Sequence, residues 1–110
     1  MKEKMGKLIF LMEQLRDDFL KCEEFILNNV EPLIDSRKWV IIINDITNHK
    51  EELEKYLTLN VGKLRLKKTL DLQLLRYLVD IKITNGVINT PINNIIKVLN
   101  STIKLIKQYK

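Results

Sequence analysis

The chain has 110 residues, 45% of them hydrophobic and 30% charged, with a net charge of +5; that suffices for one folded domain with one core, is short for two, and is too apolar for a disordered chain. A single Cys and a single His leave nothing for a disulfide framework or a soft-ligand metal site. The apolar runs at 8–12 (LIFLM) and 39–43 (WVIII) are too short for a signal segment or a membrane span.

The charge is unevenly spread. Residues 1–60 carry nine Lys/Arg against twelve Asp/Glu, whereas residues 61–110 carry ten against two. Either the basic part faces an acidic partner, or the two parts pack side by side.

In the first segment, residues 2–29, Met5, Leu8, Met12, Leu15, Phe19, Cys22 and Ile26 recur in steps of three and four, the spacing of a helix seam. Ile9, Phe10, Leu11, Leu20, Phe25 and Leu27 widen its apolar surface, so this helix needs neighbours on more than one side. Pro32 separates it from a second helix, capped by Asp35-Ser36 and running to about Leu59, with Trp39, Ile42, Ile46, His49, Leu53 and Tyr56 on one face. Asn60 and Gly62 suit its end. A third helix is expected over about 63–80, apolar on nearly every side.

The stretch at 83–96, ITNGVINTPINNII, breaks the helical pattern. Asn85-Gly86 between alternating apolar residues is a two-residue hairpin signal. With only three or four residues a side, such a hairpin is marginal unless it packs on something, so the segment reads as an ordered turn between helices. Thr90-Pro91 then reads as an N-cap followed by proline at the first helical position. The fourth helix places Ile92, Ile95, Ile96, Leu99, Ile103 and Ile106 on one face, with Asn93, Asn94, Lys97, Asn100, Ser101, Lys104 and Lys107 on the reverse.

The expected fold is all-α: one domain over 1–110, an antiparallel bundle of about four helices, with a short β-hairpin or turn at 81–88. The chemistry available to it is sparse. His49 and Cys22 both occupy seam positions, where a packed, hydrogen-bonded imidazole and a core thiol are expected. Neighbouring carboxylates in Glu23-Glu24 and Glu51-Glu52 point in different directions on a helix, and Gly62-Lys63 lacks the preceding glycine of a phosphate loop. No catalytic residue, metal site or cofactor is expected, and a reducing cytoplasm suits the lone cysteine.

Two functional expectations follow. More apolar surface than four helices can hide implies an exposed patch, hence a homodimer or a protein partner of the inhibitor, immunity, chaperone or adaptor type, from a cellular or viral AT-rich genome. The alternative rests on residues 51–70, EELEKYLTLNVGKLRLKKTL. Leu53, Leu57, Leu59 and Leu64 fall at the apolar positions of a helix-turn-helix, and Lys63, Arg65, Lys67 and Lys68 would reach phosphates from a recognition helix. With Asn85-Gly86 as a wing, this resembles the winged-helix repressors of the MarR and PadR type, which implies a dimeric DNA-binding protein. Glu54 departs from the motif where a small residue belongs, and Lys67 where an apolar one should plug the core. The basic residues expected on a binding surface are therefore Lys63, Arg65, Lys67, Lys68, Lys97, Lys104 and Lys107.

Overall fold

In the computed structural model, residues 2–28, 37–60, 70–84 and 87–108 are described. They form α1 (Lys2–Asn28), α2 (Arg37–Leu59), α3 (Leu70–Asp80), β1 (Ile83–Thr84), β2 (Val87–Ile88) and α4 (Ile92–Lys107). The expected features at Pro32, Asp35-Ser36, Gly62 and Asn85-Gly86, and the start of the third helix at Lys63, lie outside the described residues.

Helix α1 is the central element, packed against both α2 and α4, while α3 packs on α2. Three contacts occur in opposite order along α1 and α2: Lys7 lies over the Tyr56 ring at 5.4 Å, Asp18 meets His49, and Phe25 stacks on Trp39 with ring centroids 6.0 Å apart. The two helices are therefore antiparallel. Glu13 with Lys107 (3.7 Å) and Arg16 with Asn100 (3.3 Å) give α1 and α4 the same relation. The molecule measures 45 × 21 × 20 Å, its long axis matching the ~40 Å that 27 helical residues span.

The seam spacing in α1 follows from this arrangement. Leu8, Met12, Leu15, Phe19 and Cys22 are fully buried, and Ile9 and Leu11 join them because α2 and α4 approach from different sides. Trp39, Ile43, Ile46, Leu53 and Leu57 supply the core face of α2. Ile42, His49 and Tyr56, expected on that face, lie at its edge and are partly buried. From α4 come Ile95, Ile96, Leu99, Ile103 and Ile106, and every residue expected on its polar face is exposed.

Residues 83–84 and 87–88 pair as strands, so of the hairpin or turn expected at 81–88 the hairpin is the one formed. Ile83 pairs with Ile88 and Thr84 with Val87, antiparallel across two intervening residues. The short ladder is marginal alone and is fastened at its base by Asn89. Its backbone N–H donates to Lys82 O (3.0 Å), its side-chain oxygen accepts from Lys82 N (2.8 Å), and its Nδ2 donates to Asp80 O (3.2 Å). One side chain thus ties the hairpin to the end of α3.

The start of α4 also differs from expectation by one residue. Pro91 is the cap, with ψ 128°, and its carbonyl accepts from Asn94 N (3.1 Å) and Ile95 N (3.2 Å). Thr90, one position too early to reach the first helical N–H groups, donates its hydroxyl to Asn89 Oδ1 at 3.0 Å.

Candidate interaction surface

Among the described residues the one charged side chain that is buried is Asp18, and its partner is the only histidine of the chain. The spacing that puts Asp18 beside the α1 seam turns it toward α2, where His49 Nδ1–H donates to its Oδ2. Burial pushes the Asp18 carboxyl above the usual carboxylate value; the His49 hydrogen bond and charge and Lys21 pull it down, while Asp45 pushes it up. This pair joins two helices across their seam. Sequence spacing marked His49 as a packed imidazole but did not identify Asp18, because a contact between residues 31 apart has no local signature.

Cys22 is fully buried, and burial, with Glu23 adding to it, pushes its thiol up to about 11. It is therefore protonated and inert at neutral pH. No group of three or more metal-ligating side chains converges among the described residues. Two clefts in the surface are small: one of about 180 Å³ between α2 and the hairpin, lined by Thr47, Lys50, Glu51, Ile81, Lys82 and Ile83, and one of about 150 Å³ between α1 and α2, beside Tyr56 and Leu59. Both fall below the ~300 Å³ at which small-molecule pockets begin.

The surface itself offers more. Phe10, Leu20, Ile26, Leu27, Val40, Ile41, Leu59, Val79, Val87 and Leu105 remain substantially exposed. Four of them are tied to one end of the molecule by the Phe25–Trp39 stack: Ile26 and Leu27 follow Phe25, and Val40 and Ile41 follow Trp39. Ile41 is 55% exposed and Leu27 79%.

Of the expected basic residues, Lys97, Lys104 and Lys107 stand on one exposed side of α4, spaced by seven and three. Lys107 reaches Glu13 across the seam at 3.7 Å, so the basic and acidic parts of the chain do meet there. Lys63, Arg65, Lys67 and Lys68 lie outside the described residues. No helix among the described residues is long and apolar enough to cross a membrane. No family model, no curated protein and no solved structure matches the chain.

Proposed function

We propose that this is a non-enzymatic cytoplasmic helical protein that works by binding a protein partner, in the manner of an inhibitor, immunity, chaperone or adaptor protein. The observation that carries this is the apolar end of the α1–α2 pair, where Ile26, Leu27, Val40 and Ile41 stay exposed around the Phe25–Trp39 stack. Covering a half-exposed Val or Ile recovers ~1 kcal/mol each, and apolar side chains left exposed together at one end of a molecule mark a surface that a partner covers. The test is to capture the partner from native lysate, identify it, and rebuild the complex from purified components. Val40→Asp with Ile41→Asp is expected to weaken that complex by roughly a hundredfold or more, with the helical circular dichroism unchanged. A reconstituted complex indifferent to both substitutions would remove this end as the binding site.

A second reading, a dimeric winged-helix-like DNA-binding protein, is supported by the paired strands at 83–84 and 87–88, since a wing requires a hairpin there. It predicts a shift of duplex DNA at low salt that weakens steeply as salt rises and is lost when Lys63, Arg65, Lys67 and Lys68 are changed to Ala. Absence of any shift at low salt discards it.

A further inference from the structure

Two exposed stripes run side by side along the seam between α1 and α4. On α1, Phe10, Glu13, Asp17, Leu20, Glu24 and Leu27 alternate steps of three and four and so share one side of the helix. Asn93, Lys97, Asn100, Lys104 and Lys107 do the same on α4. The Glu13–Lys107 contact crosses between them, and Arg16, next to the α1 stripe, reaches Asn100 of the α4 stripe, so the two stripes adjoin as one face. We propose that this face joins two copies of the chain, related by a two-fold axis parallel to the helices, so that α1 of each copy lies over α4 of the other.

Charge selects this occupant and this axis. The α1 stripe carries three acids and no base, and the α4 stripe three bases and no acid. Arg16, in the seam between them, pairs with Asp17 at 2.9 Å and offsets part of its charge, and the remaining acids and the lysines make the face complementary to itself. A two-fold axis along the helices exchanges the stripes while keeping every residue at its own height. Because Glu13 lies level with Lys107 within one copy, Glu13 then meets Lys107 of the second copy. Asp17 falls between Asn100 and Lys104, and Glu24 comes beside Lys97. An axis at right angles to the helices would instead lay α1 on α1 and set acids against acids. Phe10, Leu20 and Leu27, exposed at 61%, 42% and 79%, are covered in the same contact and supply its apolar part. Surface lysines of a nucleic-acid site would not be flanked along their whole length by a parallel row of carboxylates, and that arrangement favours a second copy over a phosphate backbone.

The two stripes span ~25 Å by ~20 Å, a contact of roughly 500 Å² per copy and near the lower limit for a stable interface. The dimer is therefore reversible and sensitive to salt. Leu27 borders both surfaces, but the charged stripes and Val40–Ile41 can be altered separately, so this inference is tested apart from the partner-binding reading.

The test is sedimentation of the full chain across a concentration series at about 50 mM and about 500 mM salt, with two charge-reversed variants. One variant carries Lys97→Glu and Lys104→Glu, the other Asp17→Lys and Glu24→Lys. Wild type is expected to dimerise at low salt, with its dissociation constant rising at least about tenfold at high salt. Each variant alone is expected to be monomeric, and the mixture of the two to form a heterodimer, because acids and bases are opposed again. Circular dichroism checks the fold; if a double variant fails to fold, Lys104→Glu and Asp17→Lys singly replace the pair. A wild type that stays monomeric at every concentration overturns the proposal. So does a dimer that both variants retain, or a mixture that does not associate.

Discussion

Asp18 and His49 show how a buried polar pair can be necessary to a fold without adding much to it. Desolvation is the largest influence on Asp18 and holds its carboxyl above 3.8, so the fold disfavours its charged form. A group whose pKa is raised on folding contributes stability below its unfolded value and loses it as pH rises through the folded value. The ionised carboxylate near neutrality is therefore a net cost, reduced by the hydrogen bond from His49. His49→Ala leaves that charge buried without its partner and is expected to cost about 3 kcal/mol at pH 7. The loss should shrink as pH falls into the acid range and Asp18 takes up a proton, at a higher pH than an ordinary aspartate would. Asp18→Asn is expected to match or exceed wild-type stability at pH 7, and combined with His49→Ala to recover most of the loss. Urea unfolding of the four proteins across pH checks the sign. A His49→Ala cost that does not change with pH would mean that lost packing, and not the stranded carboxylate, is responsible.

Among the elements, the hairpin depends most on one residue. Its ladder has two residue pairs, too few to persist alone, and Asn89 adds three hydrogen bonds that bind it to α3 and to the chain entering α4. Asn89→Ala removes its side-chain bonds to Lys82, Asp80 and Thr90 and is expected to destabilise the protein by ~1–3 kcal/mol. Hydrogen exchange should show faster loss at Val87 and Asn89, whose amides close the hairpin, than in the core of α1. Equal protection at both places would show that packing of Ile81 and Ile83 beside α2 holds the hairpin without Asn89. The sequence signal here was legible in part. Asn85-Gly86 announced a two-residue turn, but hairpin stability came from a residue three positions further on, whose role is set by where α3 ends. The cap of α4 was off by one residue for a related reason. Thr90 is a good capping residue, yet Asn89 holds its hydroxyl, and Pro91 is left to start the helix with its carbonyl.

For the whole molecule, the placement of α1 between α2 and α4 sets both the core and the candidate surfaces. A central helix buries two adjoining sides and leaves a third exposed, so the same broadly apolar sequence yields fully buried Leu11 and exposed Phe10 one residue apart. From this it follows that Leu15→Ala, deep in the seam, should cost ~3 kcal/mol, whereas Leu27→Ala should cost little in the isolated chain. Thermal unfolding at low protein concentration, where any dimer is dissociated, measures both. Comparable losses would mean that the end of α1 is packed more closely than its 79% exposure at Leu27 indicates.

Periodicity alone determined that this chain is helical, that Leu8, Met12, Leu15, Phe19 and Cys22 of α1 and the isoleucines and Leu99 of α4 form seams, and that apolar side chains would be left over, because steps of three and four place residues on one side of a helix whatever surrounds it; Ile26, expected to continue the α1 seam, is exposed. It also supplied Lys97, Lys104 and Lys107 as one polar side of α4. Only the tertiary structure decided that Asp18 meets His49, that Phe25 meets Trp39, and that an acidic stripe of α1 lies along a basic stripe of α4. Those relations depend on the order and direction in which helices pack, and a pattern local to each helix is the same for every such arrangement.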